Sequence, residues 1–221
     1  MNLPQKIFLG DEQIEQVFNE IDNFQVKIDS VEYDKNLVEG YDRIVIVGTQ
    51  RSGTTFTSQA LSETLSFRNV DEHEFNVRNV EMFKNVFKEK NIVVQAPAMT
   101  CRIQKLVGKN DLVIFMVRKW SDIVKSVFKK NGKISNWVTM NTMYDVEKHY
   151  YSEYDSECGK IYEEVVDRNS YYLDAPYKVW KNYQIKTIPN SISLEYESMK
   201  SHPMWIDKKD RKNFHEKQTR L

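Results

Sequence analysis

With only two cysteines, Cys101 and Cys158, the chain cannot be a small disulfide-stapled fold. They share no CxxC pattern and no metal-ligand spacing, so they read as reduced thiols of a cytoplasmic protein. No apolar run approaches the roughly 18 residues that a membrane-spanning helix needs. Met1 to Leu9 lack the apolar core of a signal peptide, so neither a leader nor an anchor is expected. Surplus charge is also missing. Lys plus Arg is 32 and Asp plus Glu is 32, giving a formal net charge of zero. That balance argues for no nucleic-acid partner and no membrane surface, so any anion site must be built locally. No internal repeat or low-complexity segment interrupts the chain.

What is present suits one α/β domain over residues 1–221, with 40% hydrophobic residues to supply a core. Ile14, Val17, Phe18 and Ile21 recur at helical spacing among acids, so residues 11–23 are expected to form an amphipathic helix. A connector with one short edge strand is expected to follow over 24–42, completing an N-terminal helix-and-connector segment, 1–42. Strands are expected at 44–47, 66–70, 91–95, 111–117 and 191–196, with the longest apolar run, 111–117, the best central strand. Between them, helices are expected over 56–65, 79–90, 99–107 and 122–130. Ser121 is the expected cap of the last and Gly132 its stop. Strands alternating with helices imply a central parallel sheet flanked by helices, with the ligand at the strands' carboxyl ends. Residues 144–183 differ, holding nine of the twelve tyrosines and many acids. They read as a helical segment covering the core, or as an acceptor-facing insertion or association surface.

The most informative stretch is Ile44-Val-Ile-Val-Gly-Thr-Gln-Arg-Ser-Gly-Thr-Thr-Phe56. It reads as strand, turn and helix start, a unit that aims backbone N–H groups and the positive end of a helix dipole at one spot. The bland reading is a Gly/Ser/Thr-rich turn capping a helix. The spacing Gly48-x4-Gly53 is that of a P-loop, and it implies a three-layer P-loop NTPase-like fold. A nucleotide kinase or ATPase places Lys and then Ser/Thr after the second glycine. Here Thr54 stands in the lysine position, and the cation, Arg51, lies inside the loop. This suits a donor with one phosphate and one further anionic group, with no bridging metal. Arg51-Ser-Gly-Thr-Thr55 after a hydrophobic strand resembles the 5′-phosphosulfate loop of sulfotransferases that use 3′-phosphoadenosine 5′-phosphosulfate (PAPS).

A second constellation follows in the right order. Val113 to Ser126 reads as a strand, then Arg118, then Ser126 eight positions on, with Asp122 four after the arginine. A guanidinium with a hydroxyl beside it suits a phosphate monoester. The stretch resembles the same family's 3′-phosphate motif, although Lys119-Trp120 replaces the usual Asn-Pro or Asp-Pro. Leu194-Glu-Tyr-Glu-Ser-Met-Lys-Ser-His-Pro203 is similar to the family's late Tyr-Glu-x6-Pro junction, and Trp180 to a tryptophan before it. The resemblances span about residues 43–203. The family's C-terminal basic segment has no clear counterpart. Arg211 and Lys212 are candidates, or else solvated tail charges.

The resemblance implies sulfonate transfer from PAPS to a hydroxyl acceptor, with 3′-phosphoadenosine 5′-phosphate (PAP) as product and no metal. Gln50, Arg51, Ser52, Gly53, Thr54 and Thr55 would hold the 5′-phosphosulfate, through backbone N–H groups from Ser52 to Thr55 and the Thr hydroxyls. Arg51 would also stabilise the leaving oxygen, and Arg118 and Ser126 would hold the 3′-phosphate. Cytosolic members place a basic histidine after the third strand, where this chain has Gln95-Ala96-Pro97. The loop and base pattern is closer to tyrosylprotein, heparan and bacterial or viral sulfotransferases, whose glutamate lies beyond the first helix. In the tyrosylprotein pattern that position is Glu72, with Glu74 as fallback and His73 facing away. The bland reading of 71–74 is a solvated acidic turn. Two alternatives stay open: a P-loop small-molecule kinase, and a non-catalytic PAP-binding protein.

Overall fold

Ile44 to Val47 carry no polar alternation, the pattern of a strand covered on both faces. In the computed structural model they lie in β1, Arg43–Gly48, the middle strand of a five-stranded sheet. The structure describes residues 22–72, 74, 84–100, 103–131 and 174–205. The other strands are β2 (Arg68–Val70), β3 (Ile92–Gln95), β4 (Asp111–Val117) and β5 (Ser191–Glu195). Their order is β2-β3-β1-β4-β5, and every pairing is parallel. Parallel strands need covering crossovers on both faces. Helix α1, Thr54–Leu65, follows β1, and α2, Trp120–Asn131, follows β4. A third helix, α3, Asp174–Val179, continues through a π turn, Trp180–Gln184, into Ile185–Thr187.

The two-residue period of each strand sorts its side chains between two cores. Ile44, Ile46, Val93, Leu112, Ile114 and Met116 pack with Ala60 and Leu61 of α1. Val45, Val47, Val94, Val113 and Phe115 pack with Ile123 and Val124 of α2 and Tyr177 and Trp180 of α3. Phe115 stacks on Trp180 at 4.9 Å and meets Tyr177 edge-on at 5.2 Å. The buried indole N–H is satisfied by donating to Ser193 Oγ at 2.8 Å. The chain is therefore a three-layer α/β fold of the P-loop type. At the sheet's amino end the fully buried Asp111 carboxylate is paired. It accepts from Arg43 Nε at 2.6 Å and from the Gly108 N–H at 2.7 Å. A buried carboxylate requires such partners, so this pair is structural.

Several expected elements come out differently. The helix expected over 99–107 is two separate 3₁₀ turns, Pro97–Met99 and Ile103–Lys105. Thr100 Oγ1 donates to Pro97 O at 2.6 Å, and such a local side-chain bond competes with helix continuation. Ser121 does not cap α2, which already begins at Trp120. The cap comes from Asp22, whose carboxylate accepts from the Ser121 N–H at 2.9 Å and the Ser121 hydroxyl at 2.7 Å. Asp22 itself lies in a 3₁₀ turn, Asp22–Phe24, and the rest of the expected N-terminal helix falls outside the described residues. Of the helix expected over 79–90, residues 84–86 are helical, and a turn follows at 87–88. The edge strand expected within 24–42 reduces to one parallel bridge, Val31 to Leu194. The stop at Gly132 and the Tyr-rich residues 144–173 lie outside the described residues.

After β5 the chain forms a 3₁₀ segment, Tyr196–Ser201, and His202 fastens it to α1. His202 Nδ1 accepts from the Met204 N–H at 3.1 Å, so that nitrogen carries no proton. Nε2–H then donates to Thr64 Oγ1 at 2.7 Å, and Thr64 passes its own proton to Ala60 O at 2.9 Å. The imidazole must be neutral to complete this chain, and burial pushes its pKa below the usual 6.5. The folded state therefore binds fewer protons at this residue than the unfolded chain. Its contribution to stability is full above pH 6.5 and is lost as the pH falls from there through the folded-state value. Urea unfolding at a series of pH values should show wild type losing stability below that point more steeply than His202→Gln. Equal pH slopes would mean that His202 titrates as it does in the unfolded chain.

Candidate active site

In a parallel sheet every strand ends at the same edge, so the turns after Gly48, Val70, Gln95, Val117 and Glu195 gather there. The turn after β1 is held in an unusual backbone path. Gly48 has φ 131°, Arg51 φ 70° and Gly53 φ 105°. The Ser52 N–H donates to Thr49 O at 3.1 Å, closing a tight turn. That N–H is thus engaged within the loop rather than offered to a ligand, unlike the expectation for Ser52. Gly53 caps α1 without a side-chain bond, leaving the helix's first N–H groups without intrahelical acceptors. The Gly48 N–H donates to Thr100 Oγ1 at 3.0 Å, which moors the loop's entry to the segment after β3.

Space crowds the first glycine and excludes a side chain at the second. A Cβ at Gly48 would lie 3.2 Å from the Met116 backbone. At Gly53 it would lie 2.1 Å from the Tyr196 ring. That buried ring covers the second glycine, and its face carries the Arg118 guanidinium at 4.5 Å.

The register places Arg118. Gly48 pairs with Met116, so the residue two positions past Met116 emerges beside the loop. Arg118 Nη1 donates to Arg51 O at 2.9 Å, bracing the residue held at positive φ. Arg51 Nε donates to Ser126 Oγ at 3.1 Å. Arg51, Arg118 and Ser126 are thus brought together, with Ser126 touching Arg51 rather than the expected Arg118. Gln25 and Tyr177 hold the backbone behind Arg118. Gln25 Nε2 donates to Arg118 O at 2.8 Å, and the Arg118 N–H donates to the Tyr177 hydroxyl at 3.0 Å. Burial pushes the Tyr177 hydroxyl far above its ordinary value, so it stays protonated.

The remaining expected residues are more dispersed. Thr54 is buried, Thr55 is exposed, and Gln50 is half-buried at the loop's crest. Glu72 lies in the turn after β2, two strands from β1. Glu74 is engaged elsewhere: it accepts from Arg68 Nη1 at 2.5 Å and from the Asp71 N–H at 3.2 Å, closing that turn. His73 lies outside the described residues, as do Arg211 and Lys212. Gln95 stands buried at the end of β3, and its Oε1 is without a hydrogen-bond partner.

Three more buried polar atoms near the loop lack partners: Thr49 Oγ1, Ser52 Oγ and Arg118 Nε. Buried polar groups ordinarily find partners, so a cluster of them marks a place built for a polar ligand. Two guanidiniums and two hydroxyls fit an anion. Two participants had no assigned role in the sequence reading, Tyr196 and Glu197. Glu197 Oε1 lies 3.6 Å from Arg118 Nε. The available signal was the Tyr-Glu pair standing directly after a strand end.

No family model matches the chain, and no curated protein does. Two solved structures share some of its backbone path. One is the YorR protein of Bacillus subtilis in complex with phosphorylated GDP, at 12% identity and TM-score 0.43, covering 81% of this chain and 98% of that one. The other is shikimate kinase of Acinetobacter baumannii in complex with shikimate, at 11% identity and TM-score 0.35, covering 70% and 99%.

The close fit of Tyr196 on Gly53 has a measurable consequence. Gly53→Ala adds a methyl where the ring sits, at a φ that alanine resists, and should destabilise the fold. Part of that cost should vanish in a Tyr196→Ala background. A double-mutant cycle by chemical denaturation should give a coupling of about 0.5–3 kcal/mol. Strict additivity would mean that the two residues do not touch.

Proposed function

We propose that the chain is a PAPS-dependent sulfotransferase, moving a sulfonate group to a hydroxyl acceptor. The observation that supports it most is the convergence of Arg51, Arg118 and Ser126 beside a P-loop turn that has no lysine. In this reading the N–H groups that open α1, with Arg51 and the Ser52 hydroxyl, bind the 5′-phosphosulfate. Arg118 binds the 3′-phosphate, with Ser126 completing the cationic wall. As the acceptor oxygen bonds to sulfur, the bond from sulfur to the 5′-phosphate oxygen breaks, and Arg51 stabilises the charge gathering there. Glu72 takes the acceptor's proton. Glu74, whose oxygens accept from Arg68 and the Asp71 N–H, is the fallback.

The second reading is a P-loop kinase acting on a small molecule. One of the two solved structures is a shikimate kinase, but at TM-scores of 0.43 and 0.35 the likeness carries no chemistry. The loop also lacks the lysine that would neutralise β- and γ-phosphates. A non-catalytic PAP-binding protein would share the donor site and show no turnover with any acceptor.

Donor binding separates these readings. PAP should raise the melting temperature more than AMP at equal concentration, and the preference should shrink in Arg118→Ala. The shift should persist in excess EDTA. Equal shifts from PAP and AMP would remove the 3′-phosphate assignment, and Mg²⁺-dependent ATP hydrolysis without PAPS binding would establish the kinase reading.

The base has its own test. With labelled PAPS and an acceptor that turns over, Glu72→Gln should lower kcat by about 10²–10⁴-fold while PAP affinity barely changes. Glu74→Gln should do much less. Near wild-type turnover in both variants would rule out both glutamates and turn attention to His73.

A further inference from the structure

Arg118 is held on three sides by its own protein. Its Nη1 bonds Arg51 O at 2.9 Å, its face lies on Tyr196 at 4.5 Å, and Glu197 Oε1 approaches Nε at 3.6 Å. The last contact is incomplete. At 3.6 Å it is too long for a hydrogen bond, and Nε is buried without an acceptor. The Arg118 side chain is only 17% exposed, so an incoming anion can approach it over a limited solid angle, which the Glu197 carboxylate partly occupies. Charge is also unevenly placed around Glu197. It faces one cation, Arg118, with Asp122 of α2 and Glu195 of β5 near by and the neutral Tyr177 hydroxyl of α3 behind.

We propose that Glu197 is an internal competitor for the Arg118 guanidinium, a specificity-determining residue whose carboxylate an incoming phosphate must displace. It rests on the assignment of Arg118 to the donor's 3′-phosphate. The consequence is selectivity by charge. A phosphate dianion can outbid a half-buried carboxylate for a planar donor fork, whereas a weaker anion cannot. Burial already holds Glu197 above the usual carboxylate range, and a phosphate brought next to it raises that value further. Binding therefore takes up protons at Glu197. Lowering the pH through its titration removes the competitor, so relative to a variant without this carboxylate the wild type gains affinity as the pH falls.

The test is calorimetric titration of wild type, Glu197→Gln and Glu195→Gln with two probes, PAP and inorganic pyrophosphate, at about pH 8 and about pH 5.5. Comparison with the variant cancels the titration of the probes themselves. Glu197→Gln should bind PAP about tenfold more tightly at the higher pH, equivalent to about 1.4 kcal/mol. The gap should narrow at the lower pH, and Glu195→Gln should stay close to wild type. Should the glutamine variant fail to fold, Glu197→Ala removes the same charge. If PAP binds neither protein while pyrophosphate shows the gain, the competition stands and the PAPS reading falls. Unchanged or weaker binding of both probes to the Glu197 variants would overturn the proposal, as would an equal gain in Glu195→Gln.

Discussion

The pairing of β1 with β4 is the constraint on which the candidate site depends. It sets Gly48 opposite Met116, and it does so at the carboxyl edge, where both strands release their chains into turns. A shift of one residue would exchange the two faces of β4 and turn Phe115 away from Trp180 and Tyr177. The register is therefore fixed by core packing. Arg118 inherits its position from that packing. The backbone bonds of Gln25 and Tyr177 then fix the direction in which it leaves the strand.

Around this point the protein concentrates positive charge that the chain as a whole does not have. Arg51 and Arg118, from the turns after β1 and β4, are joined there in a chain whose charges sum to zero. The meeting is made tolerable by geometry. Arg118 donates to the carbonyl of Arg51 rather than confronting its guanidinium, and Arg51 spends its Nε on Ser126. The left-handed backbone at Arg51, which a side chain ordinarily resists, is braced by the same bond. Tyr196 serves both motifs at once, with its edge against Gly53 and its face under Arg118. Loss of that ring would loosen the glycine turn and the arginine together, although they belong to segments far apart in the sequence.

Much of this was legible before any coordinates. Apolar runs announced the inner strands β1, β3 and β4, and the five expected strands became the five parallel strands. Gly48, Arg51 and Gly53 stood at loop spacing because backbone conformation and close approach are demands that a sequence records locally. Arg118 and Ser126 could be placed at the same sheet edge because strand, turn and helix have fixed rises, although Ser126 bonds Arg51 rather than Arg118. What failed was equally local in form: Ser121 looked like a cap, and 99–107 looked like a helix. A distant partner won in the first case and a local side-chain bond in the second. Asp22 reached across from the start of the described chain, and Thr100 turned back to bond Gly48 and Pro97. The sequence by itself determined the strands, the loop and the identity of its cations, since these rest on periodicity and on which φ values a residue tolerates. Only the tertiary structure decided that Tyr196 covers Gly53 and that Glu197 faces Arg118. Those contacts join segments separated by a strand or more, and local spacing carries no information about which side chains the folded sheet will bring within reach.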